Sequence, residues 1–249
     1  MSINKPKFPT EFVELPSKGL LYPEDNPLSS GKVEIKYMTA REEDILTNTS
    51  YISNGTVLDK LLQSLIVSKD INYNDLVIGD KNSLLISSRI LGYGSDYDFT
   101  YQGEAVTADL SKMDNKKIDE DLFKKGKNEF PFTFPTTGTV ITYKYLNHGD
   151  EIAVNKEIKG LQKINPESNP LISTRIKQMI LSVDGDEDRV KIREFVDNYL
   201  LAKDSRVFRN HIRETQPDVN LNVIIDTSNG EENVDIPIGI TFFWPDANL

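Results

Sequence analysis

The sequence predicts an α+β fold: helical units interrupted by β-hairpins, with an extended N-terminal arm and a C-terminal β-hairpin. Three observations predict it. Apolar residues recur at helical spacing in two separate regions, 56–93 and 171–214. Alternating segments flank Gln102–Gly103 and Asn229–Gly230, short turns of the kind that close hairpins. Five of the twelve prolines fall within residues 1–31, where missing amide donors and restricted predecessors favour extended backbone.

Residues 1–31 read as an arm with apolar anchors, among them Phe8, Phe12, Leu15, Leu20 and Tyr22. It is too apolar for a free linker and is expected to lie along a surface, its own or a neighbour's. Residues 32–95 form a strand plus helical unit. "KVEIKYM" alternates as a short strand, and Thr39 with Glu42 has capping-box spacing. The segment 56–68 puts Val57, Leu58, Leu61, Leu62, Leu65 and Ile66 on one face. A second helix starts near Asp80 and stops at Gly92 and Gly94.

Residues 96–149 form a β-rich insertion of two hairpins, joined by an exposed, lysine- and aspartate-rich stretch at 111–127. A second helical unit spans 150–216. It contains a helix over 171–185 capped by Gly185, another with a stripe from Val190 to Leu200, and a third over 204–214. The C-terminal hairpin with its aromatic tail covers 217–249. There Phe242, Phe243 and Trp244, the last being the only tryptophan, continue the second strand. Three large aromatics in a row need cover, because each carries about 150–250 Å² of surface. The expectation is that they alternate between this chain's core and a partner's groove; the competing reading closes all three on the chain's own helices.

Composition narrows the chemistry. The 249 residues are 38% hydrophobic and 27% charged, with a net charge of -10. That balance argues against nucleic acid or an anionic membrane as partner. With no cysteine, disulfides, thiolate catalysis and cysteine zinc sites are excluded. The first residues lack the apolar run of a secretory signal, and no stretch is long and apolar enough to span a bilayer. A cytosolic origin is expected.

"DGDED" at 184–188 invites a calcium reading, but counting from Asp184 the sixth residue is Arg189 and the twelfth Phe195, which breaks loop spacing. A helix cap followed by an acidic first turn explains it better. His148 and His211 are the only histidines, and both read as surface groups without catalytic or metal partners at defined spacing. No nucleophile-elbow, phosphate-loop or zinc-protease pattern occurs. The residues thus suggest no catalytic group, no metal and no cofactor. Arg206, Arg209 and Arg213 stand at i, i+3 and i+7 on one helical face. They either pair with the preceding acidic helix or dock an acidic partner.

The segments "ELPSKGLLYPEDNPLSSGKVEIKYMTAREEDILTN", "GTVLDKLLQSLIV", "GDKNSLLISSRILGYG", "DSRVFRNHIRETQPDVNL" and "ITFFWPD" resemble the baseplate hub and hub-assembly proteins of T4-like contractile-tailed bacteriophages. The resemblance runs over most of the chain, in order, including both ends. It implies a virion or morphogenesis protein, made in the host cytoplasm and placed in the tail baseplate. It also implies that the partners are other hub proteins and the end of the tape-measure protein. Many relatives carry cysteine pairs at two hairpin turns, like zinc ribbons; "TYQGEA" and "DTSNGEE" stand there instead, so metal is not expected at these turns. The expectation is a non-enzymatic structural or assembly component. A morphogenetic catalyst or chaperone absent from the finished particle, and a cell-wall hydrolase, are the alternatives.

Overall fold

The computed structural model describes residues 9–228 and 230–243. It has the predicted α+β composition, with small antiparallel sheets set among helices. The N-terminal ribbon pairs β1 (Thr10–Glu14) with β2 (Lys32–Lys36) in the register Thr10↔Lys36 to Glu14↔Lys32. The loop between them turns inward: Leu15, Leu21, Tyr22 and Leu28 are buried. Beyond β1 the expected arm is therefore no arm, because turns at 15–31 fold its apolar residues into this chain's own core.

Four helices follow: α1 (Ala40–Leu46), α2 (Thr49–Ser53), α3 (Val57–Leu65) and α4 (Ile78–Tyr93). The Thr39–Glu42 capping box is formed at the start of α1. Gly79, in the first turn of α4, permits a close crossing: a Cβ there would lie 1.9 Å from the Pro217 carbonyl oxygen. The helix runs through Gly92 and ends at Gly94.

Next come β3 (Asp96–Tyr101) and β4 (Glu104–Asp109), closed by Gln102 and Gly103, both at positive φ. The next sheet has three strands: β5 (Phe130–Thr133), β6 (Val140–Tyr143) and β7 (Ile180–Val183), in the order β5-β6-β7. Between β6 and β7 lie α5 (His148–Ile164) and α6 (Leu171–Met179). The expected helix over 171–185 thus ends at Met179. Ile180–Val183 pairs with β6, and Gly185 is no helix cap. Asp184 and Gly185, with φ of 47° and 83°, form a two-residue turn across which Val183 and Asp186 exchange main-chain bonds of 2.9 Å.

The chain continues with α7 (Arg189–Glu194), a wider π-type turn at Phe195–Tyr199, and α8 (Ala202–Thr215). The expected stripe is only partly interior: Ile192 and Val196 are buried, while Val190, at the start of α7, and Tyr199, at the end of the wider turn, are exposed. The C-terminal hairpin pairs β8 (Asn222–Thr227) with β9 (Gly230–Asp235), and β4 lies against β8. The tips of the two hairpins meet where Ser228 N donates to Glu104 Oε2 at 2.9 Å. The aromatic tail does not extend β9. After Pro237 and Gly239 it forms a short helical turn, α9 (Ile240–Phe243).

One apolar core runs through most of these segments, from Val13 to Phe243, while the buried Val154 and Ile158 of α5 lie outside it. Its densest part is aromatic. Phe208 on α8 meets Phe132 and Tyr143 of the three-stranded sheet, and Phe134 just after β5, at centroid distances of 5.3, 5.2 and 6.0 Å. The stretches named as arm, insertion and helical units are thus parts of one core.

Candidate functional site

The main-chain bonds of the N-terminal ribbon decide what β1 offers to a partner. Leu15 N donates to Gly31 O at 2.8 Å and Tyr37 N to Pro9 O at 3.1 Å. By antiparallel alternation, residues 9, 11, 13 and 15 bond inward to β2, while the amides and carbonyls of Thr10, Phe12 and Glu14 face the other edge. Among the described residues no main-chain group meets them there. Phe12 is 58% exposed beside this edge, with Lys32 Nζ 5.1 Å from its ring centroid. A groove of about 360 Å³ runs between β1 and α4, with Val13, Ile86, Ile90 and Val219 in its lining. An exposed edge with adjacent apolar side chains is the geometry that accepts an added strand.

The other anchors predicted for the arm are placed differently. Leu15 and Tyr22 are buried and Leu20 packs against the core, so these three belong to the chain itself. Tyr22 OH donates to Asp80 Oδ2 at 2.6 Å and accepts from Val77 N at 3.0 Å. Asp80, fully buried in the first turn of α4, also accepts from Ser17 N at 2.9 Å and Ser17 Oγ at 2.6 Å. Burial pushes its carboxyl up to about 6 even though the Ser17 and Tyr22 hydrogen bonds pull down. Phe8 lies outside the described residues.

At the C-terminus, Phe242 and Phe243 are both buried, at 0% and 1% exposure. The expectation that they alternate between core and partner is corrected: a helical turn, unlike a strand, places both neighbours inward. Phe242 meets Tyr97 at 5.3 Å. Arg89 of α4 fastens this turn from the inside. It donates to the carbonyls of Phe242 at 3.0 Å, Gly94 at 2.9 Å and Asp96 at 3.2 Å. Trp244 lies outside the described residues.

Arg206, Arg209 and Arg213 form an exposed row on α8, opposite the buried Phe208 and Ile212. Among the described residues no carboxylate pairs with them; Arg213 Nη2 donates to Asn210 Oδ1 at 3.2 Å. The preceding acidic segment pairs elsewhere, as in Asp197 with Lys177 at 2.7 Å. Three expected partner residues are thus brought together on one face, 58%-exposed Phe12 stands apart on β1, and the remaining described ones are interior.

The three aspartates of the "DGDED" run are engaged within the chain. Asp184 accepts from Val140 N at 2.9 Å, Asp186 from Asp188 N at 3.0 Å, and Asp188 from Val190 N at 2.8 Å at the start of α7. Among the described residues no cluster of three or more histidines and carboxylates is placed to hold a metal ion.

His148 is not the surface group expected from sequence. It sits at the first position of α5, 6% exposed, edge-on to Tyr73 with centroids 4.7 Å apart. Its Nδ1 is 3.3 Å from Lys81 Nζ, which in turn lies 2.5 Å from Asp59 Oδ1. Burial and the Lys81 charge hold the imidazole below its ordinary pKa. His211 is tied to the aromatic core through Tyr143 OH at 2.8 Å. The Lys81–Asp59 pair stands on the wall of a cleft of about 900 Å³ between α3, α4 and α5. Sequence reading missed this cleft. The lysine spacing on α5 was visible, but only the fold opposes it to α3 and α4.

Compared with known protein families, curated proteins and solved structures, the chain matches none of them.

Proposed function

We propose that this chain is a non-enzymatic structural or assembly component of a contractile phage tail baseplate, in the hub region, acting through protein–protein contacts. On this reading it is made in the host cytoplasm and bound by other hub proteins. The assignment to a baseplate is supported by the ordered segments that resemble hub proteins, from "ELPSKGLLYPEDNPLSSG" to "ITFFWPD". The docking mode is carried by one observation: the outward edge of β1, with Phe12 58% exposed beside a groove of mixed apolar and polar lining. A partner strand laid on that edge gains main-chain hydrogen bonds to Thr10, Phe12 and Glu14, and covers the Phe12 ring.

Hydrogen exchange of the free protein and of its mixture with purified baseplate hub tests this. The amides of Phe12 and Glu14 are expected to exchange quickly alone and to slow in the complex, and Phe12→Asp is expected to abolish that protection. Unchanged exchange at β1 in a complex that does form would remove the edge from the mechanism. Mass spectrometry of purified virions addresses the rest: presence of the chain supports a structural component, and absence turns the reading to a morphogenetic factor.

A further inference from the structure

We propose that the cleft between α3, α4 and α5 is a docking groove for an acidic amphipathic helix of a partner protein. The proposal deepens the reading of the chain as a docking protein and rests on it, but it concerns a surface remote in sequence from β1. Five basic and two acidic side chains line the cleft: Lys81, Lys156, Lys159, Lys163 and Arg175 against Asp59 and Glu151. Two of the bases are already neutralised, Lys81 by Asp59 at 2.5 Å and Arg175 by Glu151 at 2.6 Å. Lys156, Lys159 and Lys163 remain, exposed on α5 and without a carboxylate partner among the described residues.

In a chain of net charge -10, three unneutralised lysines facing one concavity form a local reversal of sign. Such a reversal selects the charge of what enters, since concave walls focus the field. The spacing adds a shape. Positions i, i+3 and i+7 on a helix lie on one face and span roughly 10 Å along its axis. Carboxylates with the same spacing on a second helix meet the three ammonium groups in register. The apolar lining supplies the other half of the match. Ile152, one turn before Lys156, is 50% exposed, and Leu58, Ile78 and Ile238 share the cleft with it. A ligand with carboxylates along one edge and an aliphatic stripe beside them satisfies both features. A nucleic-acid strand satisfies only the charge, and the acidic remainder of the protein repels it.

The test uses the full chain and a fluorescent amphipathic peptide carrying glutamates at i, i+3 and i+7 beside leucines, read by anisotropy. Binding is expected, weakening as salt is raised. The triple variant Lys156→Glu, Lys159→Glu, Lys163→Glu is expected to weaken it roughly tenfold or more, the sum of three exposed ion pairs. Ile152→Ser is expected to weaken it several-fold at constant charge. Reversing Lys124, Lys125 and Lys127 to glutamate, the same change of charge in the exposed loop before β5, leaves it unchanged because none of them lines the cleft. Circular dichroism of each variant separates lost binding from lost folding. Equal binding by wild type and the lysine variant overturns the proposal. So does tighter binding of inorganic polyphosphate or a single-stranded oligonucleotide than of the peptide. Neither result touches the baseplate assignment, which is decided by virion composition.

Discussion

Asp80 shows how much can depend on one buried carboxylate. It receives three hydrogen bonds, from Ser17 N, Ser17 Oγ and Tyr22 OH, and so ties the loop after β1 to the start of α4. No cation accompanies it within that set, so burial dominates and lifts its pKa to about 6. The native state therefore binds this proton more tightly than the unfolded chain does. The associated stability is fully present below the ordinary carboxylate value and is lost as pH rises through 6, amounting to about 3 kcal/mol across that window. Urea titrations at pH 4.5 and pH 7 are expected to show that slope in the wild type and a reduced one in Asp80→Asn. Gly79, its neighbour, is held by space rather than charge. Since a Cβ would fall 1.9 Å from a backbone carbonyl, Gly79→Ala must push the 217–218 segment away from α4. A loss of about 2–3 kcal/mol in chemical denaturation is expected, in the range of overpacked sites; an unchanged midpoint would mean that the crossing relaxes freely.

At the scale of elements, the capping box that starts α1 was legible in the sequence. Thr39 and Glu42 form their box, with Thr39 N donating to Glu42 Oε2 at 3.0 Å and Thr39 Oγ1 at 2.6 Å. The fold then gives Glu42 duties that no local pattern shows. Its other oxygen accepts from Lys36 Nζ of β2 at 2.8 Å and Ser64 Oγ of α3 at 2.6 Å. Burial pushes this carboxyl up, and the hydrogen bonds from Lys36, Ser64 and Thr39 outweigh that and bring it down to about 2. Glu42→Ala is expected to cost about 2–4 kcal/mol by equilibrium unfolding, more than a helix cap alone, because it leaves the Thr39 and Ser64 hydroxyls without their acceptor as well. The hairpin at Gln102–Gly103 was equally legible, since a two-residue turn fixes its register locally. β7 was not. Ile176, Met179 and Ile180 continue one helical spacing, and only pairing with β6 makes Ile180–Val183 a strand. Asp184–Gly185 carried a turn signal, but with no strand recognised before it, a helix cap was the reading that fitted.

The candidate sites divide along the same line at the scale of the whole molecule. The arginine row on α8 was visible as spacing, because exposure there depends only on the opposite face being apolar. The cleft was invisible, because it needs α5 set against α3 and α4. The C-terminal aromatics were conspicuous, yet their destination depended on whether residues 240–243 were strand or helix. Pro237 and Gly239 favour the break from β9, and Arg89 then stabilises the turn by donating to the Phe242 carbonyl. This makes a cooperative role for the C-terminus testable. Phe242 is wholly buried, so Phe242→Ala removes a core ring and is expected to cost about 3–5 kcal/mol. Against a typical total of about 5–15 kcal/mol, that is a large share of the stability. If α9 belongs to the single cooperative core, the variant lowers the midpoint of unfolding followed by the β3–β4 hairpin and by α8 alike. If α9 is instead a separable tail, the midpoint stays where it is and only exchange at 240–243 accelerates. The Arg89 bonds tie the C-terminal part of α4, packed in the core, to the last described turn, and on that geometry the first outcome is expected.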